Sequence, residues 1–367
     1  MKINSIIFIL SFILLFSCAT VETKVNPEIS SIEIDENKKF LTYLENDWQK
    51  TLDDNPLFAS YTGDKRNNNK ISSNDIDNFN KGKKSDEQSL KLLKSIDISK
   101  LSEENKLNYK LKEFDLLSSI GTKDFPTYYL RLNQRGGIQS FYETGNRLVY
   151  TSKQDYFDWL NRLKQFETNI YNALEINKEG LLNGHTQPKL VTRGVIAQLK
   201  SIIESDIDSN PYMKVFLDAD DSLLTKDEKA NLINEAKELI QNKINPAYEK
   251  LFNFLKDDYL PNSRDSIGIK DIPNGKEYYK FLAKFYTTTD LTPEDIHNIG
   301  LKEIKRIRME MEQIITQVNW DGDFNSFLNY LRTSPRFYYE NGEDLFNAYL
   351  IMSKTIDPLL PKIFKEF

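Results

Sequence analysis

A chain of 367 residues, 39% hydrophobic, 28% charged and 12% aromatic, is long enough and apolar enough to bury a large core. Its net charge of −6 argues against nucleic acid as a partner, because such binding rests chiefly on Lys and Arg neutralising phosphates. One cysteine and two histidines exclude a disulfide framework and leave few ligands for a transition metal.

Residues 1–17 read as a secretory signal peptide. Lys2 supplies a short positive start, residues 6–16 an apolar core, and Ser17 a small residue just before Cys18. The apolar run holds 11 residues, whereas a spanning helix takes roughly 20. Leu15-Phe16-Ser17-Cys18 resembles the lipobox of bacterial lipoproteins, in which cleavage leaves the cysteine as the acylated first residue. Cys18 is therefore the expected lipid-attachment residue, and the membrane the expected partner through that anchor. Each buried CH₂ of an acyl chain adds about 0.8 kcal/mol, so several chains hold a soluble domain on a bilayer. Ala19 rather than aspartate follows the cysteine, which within this resemblance favours the outer membrane, facing periplasm or surface. The competing reading is an ordinary secreted protein with a free thiol. Residues 18–31 read as lipidated N-terminus and tether, and residues 32–367 as an incomplete helical domain.

Helical periodicity dominates from there. Phe40, Leu41, Tyr43, Leu44, Trp48 and Leu52 form an apolar stripe that ends before Asp54-Asn55-Pro56. Residues 67–84, rich in Asn, Lys and Ser, read as an exposed loop. Helix starts are expected at Ser85, Ser152, Thr225 and Thr292, where a hydroxyl can accept from a first-turn N–H while an acid or amide three residues on reaches back. Leu107, Leu111, Phe114 and Leu117 make one further stripe. Tyr156, Trp159, Leu160, Leu163, Phe166 and Ile170 make another behind Ser152. Pro246 should kink or divide the long segment 226–256. Behind Thr292, with Pro293 suited to the first turn, come Ile296, Ile299, Ile304, Ile307, Met311, Ile314 and Val318. Lys302, Lys305, Arg306 and Arg308 read as a solvated face, with Glu303 and Glu310 in pairing distance of Arg306. No region alternates with period two, so the fold class is all-α.

Two irregular stretches between helices carry more chemical character. Residues 126–150 hold Tyr128, Tyr129, Arg131 and Arg135, and residues 259–275 hold Arg264. Loops of that length in a compact domain are often functional, although their aromatics can equally be packing groups. His185 lies in a turn and His297 in the first turns of a helix, neither in an H-E-x-x-H context, so both read as structural or solvated. No G-x-S-x-G elbow, phosphate loop or dinucleotide fingerprint occurs. Glu294 with Asp295, and Glu310 with Glu312, are better explained by capping and solvation than as a glycosidase pair.

The run Gly275-Lys276-Glu277-Tyr278-Tyr279, with Phe285 and the threonine-rich turn Thr287-Thr288-Thr289 leading into Thr292-Pro293-Glu294-Asp295, resembles the bacterial family catalogued as domain of unknown function 885. Asp54-Asn55-Pro56, Leu101-Ser102-Glu103-Glu104, Asn133-Gln134 with Gly136-Gly137, and Tyr259-Leu260-Pro261 carry the resemblance over nearly all of the mature chain. It implies an exported helical protein related to gluzincin-type zinc metallopeptidases, this chain corresponding to the N-terminal helical part. The family's H-E-x-x-H-like motif lies downstream of the region matched.

That motif is missing here, and residues 359–367 still carry apolar spacing through Leu359, Leu360, Ile363 and Phe364. The expectation is an N-terminal portion of a longer, zinc-dependent peptidase-like gene product, so no catalytic or metal-binding residue is assigned within it. Zinc is expected only in a full-length parent, whose glutamate would polarise water against a peptide or small amide carbonyl. Tyr128, Tyr129, Arg131 and Arg135 are the residues expected to line substrate. The alternative is a non-catalytic helical surface lipoprotein that binds peptides or an envelope partner.

Overall fold

The computed structural model describes residues 27–365, so the signal segment and Cys18 lie outside the described residues. All regular structure among these residues is helical, with only isolated bridges at Asn133/Gly136 and Pro188/Arg264. The fold is all-α. The chain divides into two units, Met1–Phe285 and Tyr286–Phe367.

In the first unit, α1 (Pro27–Asp54), α2 (Pro56–Tyr61), α3 (Ile76–Leu93) and α4 (Glu103–Lys123) come first. Phe40, Tyr43, Leu93, Ile96, Leu101, Tyr109 and Leu116 make a small core among them. Helix α1 begins inside the stretch 18–31 read as a tether. Helix α3 corrects the sequence reading twice. Asp75, not Ser85, is its cap, its carboxylate accepting the Asn78 N–H at 2.6 Å. A carboxylate is a strong acceptor for a first-turn N–H, and the Ser85 pattern falls inside a helix already under way. The stripe of Leu107, Leu111, Phe114 and Leu117 on α4 stays about half exposed.

The larger core is built on α6 (Lys153–Leu182), reached through the short α5 (Tyr142–Arg147). The capping box expected at Ser152 is present, with Asp155 closing it. Tyr156, Trp159, Leu160, Leu163, Phe166 and Ile170 are each at most 5% exposed. Against them pack α7 (Lys189–Ile203), α8 (Lys214–Leu217), α9 (Lys226–Leu239) and α10 (Asn245–Phe254). The Thr225 box opens α9 as expected. Pro246 does divide its segment: it sits in the first turn of α10, behind a π-helical turn, Ile240–Ile244. Proline offers no N–H to the preceding turn, and a wide π turn is one way the ladder absorbs that loss. A second π turn, Leu255–Tyr259, leads to α11 (Leu260–Asn262), and α12 (Gly275–Thr287) follows.

The opposite face of α6 is polar and explains the composition of residues 67–75. Arg162, fully buried, donates to the carbonyls of Lys70 (2.9 Å) and Pro56 (3.1 Å) and to Ser60 Oγ (2.7 Å). Asn169 donates to the Ser72 carbonyl, Asn172 to Ser73 Oγ and Gln165 to the Asn69 carbonyl. Asn74 donates back to the Asn169 carbonyl. Lys65 clasps both oxygens of the buried Asp155 at 2.7 Å, and Asn68 reaches Asp158. The exposed loop expected over residues 67–84 is thus a strap anchored on α6, followed by the first half of α3. Side chains of α6 satisfy the Asn69, Lys70 and Ser72 carbonyls of the strap, and Asn74 of the strap satisfies the Asn169 carbonyl in return, groups that apolar side chains would leave unpaired.

The second unit holds α13 (Pro293–Gln317), α14 (Phe324–Thr333) and α15 (Gly342–Ile356). Thr292 and Asp295 form the expected capping box, and Arg306 pairs with Glu303 and Glu310. Trp320, Phe327, Tyr330 and Phe337 cluster edge to face or tilted. None of the described residues of α13, α14 or α15 is buried. Ile304 and Ile314 on α13 and Val318 just past its end are 50–67% exposed, as are Phe346, Tyr349 and Met352 on α15 at 57–62%.

Candidate functional site

The two loops singled out by sequence meet at the end of α6. Asn183 ends that helix and Gly184 turns it in the left-handed region (φ 73°), with His185 N donating to the Gly180 carbonyl at 2.8 Å and Gly184 N to Leu181 at 3.3 Å. This pairing is the Schellman closure, which glycine adopts without the steric cost a Cβ brings. The turn that follows is the hub of the site. Gln187 donates its side-chain amide to the Leu130 carbonyl and its backbone N–H to Tyr259 Oη (2.8 Å). Arg264 donates to the carbonyls of Thr186, Ser266 and Gly268, and accepts from Lys189 N at 2.9 Å through its own carbonyl. Arg264 therefore spends its guanidinium on shaping the loop.

The four expected substrate-lining residues occupy different environments. Tyr129 is only 4% exposed, donates to Glu179 Oε1 at 2.6 Å and accepts from Asn183, and packs at 5.4 Å from the His185 ring. Burial, then the bond to Glu179, raises its hydroxyl well above the ordinary tyrosine range. It supports the loop from behind. Tyr128 is half-buried and meets Phe79 edge-on at 4.9 Å, while the Arg131 guanidinium lies 5.5 Å over that same ring. Arg135 is exposed at the tip of the turn closed by Asn133 and Gly136. Arg131 and Arg135 thus present two cations on the surface of a loop held rigid underneath.

The histidines take separate roles. His185 is buried, its Nδ1 3.2 Å from the Asn183 carbonyl, beside a space of only about 10 Å³ against Phe125 and Pro273. His297 is exposed on α13. Among the described residues no group of three or more His, Cys, Asp or Glu side chains is placed to hold a metal ion. The donors present do not fit a zinc centre.

A second site escaped the sequence reading. Between α1, α3 and α4 lies a cavity of about 350 Å³ whose lining includes four lysines and three aspartates, joined to a groove of about 310 Å³ along α1 and α3. Lys112 contacts Asp47 at 2.6 Å and Lys123 contacts Asp86 at 2.5 Å, all four side chains 18–22% exposed. Ser89 donates to Asp47 at 2.5 Å and shares a 2.7 Å hydrogen bond with Tyr43 Oη. Burial pushes the Tyr43 hydroxyl up to about 12. The signal was available in the spacing of Tyr43, Asp47, Lys50 and Asp54, but charged residues three and four apart on a helix ordinarily mark a solvated face.

The family model for "Bacterial protein of unknown function (DUF885)" matches residues 56–367, and the chain belongs to that family. Among solved structures, "the putative lipoprotein from Colwellia psychrerythraea" superimposes with a TM-score of 0.71 at 19% identity, covering 92% of this chain and 60% of that one. This chain therefore spans about three fifths of that relative's length, and the likeness establishes the fold. No curated protein matches. Among the described residues no helix is long and apolar enough to cross a membrane.

Proposed function

We propose, from the chain's place in this family, that it is the N-terminal helical portion of a bacterial envelope lipoprotein whose complete form is a zinc-dependent, peptidase-like hydrolase. The metal-binding motif would lie beyond residue 367, and Cys18 would carry the lipid at the outer membrane. One observation carries this reading: α13 and α15 present broad apolar faces with no buried residue of their own. Covering a large aliphatic or aromatic side chain contributes roughly 1.5–3 kcal/mol, so such faces favour further polypeptide packed on them. The greater length of the similar Colwellia chain supports the same reading. Tyr128, Arg131 and Arg135 would then line one side of the substrate path, the two cations suiting a peptide or small amide that carries a carboxylate.

Reading the gene past codon 367 tests this. An encoded H-E-x-x-H-like segment is expected; a stop codon at that point contradicts it and leaves the second reading, a lipoprotein that binds peptides or an envelope partner without hydrolysis, which the cavity between α1, α3 and α4 favours. The chain of residues 19–367 alone is expected to show no chelator-sensitive peptide cleavage. Metabolic labelling with a palmitate analogue should be abolished by Cys18→Ala.

A further inference from the structure

We propose that the cavity between α1, α3 and α4 binds a small zwitterion bearing one carboxylate and one ammonium group, of the size of a free amino acid or a dipeptide. The inference stands independently of the hydrolase reading. It begins with register. Phe40 and Tyr43 on α1, Leu93 at the end of α3 and Tyr109 and Leu116 on α4 set the interior faces of the three helices. Followed along the same faces, the register places Asp47, Lys50 and Asp54 on α1, Asn78, Ser85 and Ser89 on α3, and Lys112 and Lys123 on α4 around a cavity rather than a core.

Stability does not account for that choice. Apolar side chains of similar volume in place of a largely buried ion pair are often neutral or stabilising, and they would have filled the space. Small residues, Gly82, Ser85 and Ser89, hold it open instead. The volume falls in the range of roughly 300–1,000 Å³ common for small-ligand sites.

The charges retain unused bonding capacity of both signs. An ammonium has three donors and a carboxylate about four acceptor positions. Among the described residues, Lys112 and Lys123 each spend one donor on an aspartate, and the bonds to Asp86, from Lys123 and Ser119, both end on Oδ2. A ligand carboxylate can join the lysine ammoniums, and a ligand ammonium the free Asp86 Oδ1, without breaking either native pair. A purely anionic ligand would leave the aspartate side unmatched, and a purely cationic one would meet a lining that has one lysine in excess.

Calorimetric titration of residues 19–367 with alanyl-alanine, against N-acetyl-alanyl-alanine amide, acetate and methylammonium, tests the inference. The free dipeptide should bind, weakening as salt is added, and each of the other three should bind at least tenfold more weakly, since a lost charged hydrogen bond is worth about a tenfold change or more. Asp86→Asn and Lys112→Met should each weaken binding roughly tenfold or more. The double variant Asp47→Leu/Lys112→Met should keep its helical signal and thermal stability while losing binding, which separates recognition from folding. No binding of the free dipeptide, equal binding of the blocked peptide, equal binding of acetate or methylammonium alone, or undiminished binding by the folded double variant would each overturn the proposal.

Discussion

Helices α6 and α13 start alike and end in different circumstances. Each opens on a capping box, Ser152 with Asp155 and Thr292 with Asp295, and each repeats large apolar residues at spacings of three and four. On α6 that stripe is sealed beneath α7, α9 and α10, down to 0% exposure at Leu163, Phe166 and Ile170. On α13 the corresponding residues, Ile299, Ile304, Ile307 and Ile314, are 45–67% exposed. Periodicity states that a helix forms and which of its faces is apolar. It does not state what covers that face, and the two helices show how far the two questions separate.

The largest expected effect breaks the comparison at its apolar faces. Phe166→Ala should cost roughly 3–5 kcal/mol in urea unfolding of residues 19–367, because it opens a cavity in packed surroundings. Ile307→Ala should cost less than about 1 kcal/mol, as an exposed site does. Comparable losses at both positions would show that α13 is as well covered as α6.

The polar side of α6 sharpens the contrast next. Arg162→Ala removes the donors that hold the Lys70 and Pro56 carbonyls and leaves buried acceptors unpaired, for an expected loss of roughly 2–4 kcal/mol and faster proteolysis within residues 62–75. Unchanged proteolysis would mean that the strap is held by other contacts.

Asp155→Asn should cost about 1–3 kcal/mol near neutral pH, where its carboxylate closes the α6 cap and meets Lys65. Burial pushes this carboxyl up, but Lys65, the Thr151 N–H and Ser152 outweigh it, and it ends below its ordinary value. A group depressed on folding stabilises the protein above its unfolded pKa, roughly 4, and loses that contribution as pH falls through the lower folded value. The difference between wild type and Asp155→Asn should therefore be full at pH 6 to 7 and shrink below about pH 4. A difference that grows on acidification contradicts the assignment. Smallest of all, Thr292→Ala should raise amide exchange in the first turn of α13 about fivefold, the effect of one lost cap, with global unfolding unchanged.

What was legible in the sequence is what is decided locally. The caps at Ser152, Thr225 and Thr292 need only neighbours three residues away, and the break at Pro246 needs only a missing N–H. Ser85 misled because the same four-residue pattern can occur inside a helix that Asp75 has already begun. The strap at residues 67–75 looked like loose surface because its partners, Arg162, Gln165, Asn169 and Asn172, come about a hundred positions later. Of the nominated loop, Tyr129 proved to be support, since its hydroxyl is committed to Glu179. The cavity between α1, α3 and α4 was invisible because three polar faces, each ordinary alone, converge only in the folded molecule.

Hydrogen exchange on residues 19–367, resolved by peptide, tests most directly whether α6 and α13 differ in what covers them. Amides of α6 should exchange only through global opening, and those of α13 and α15 orders of magnitude faster, through local opening of helices without buried contacts. Protection of α13 and α15 equal to that of α6 would contradict the account.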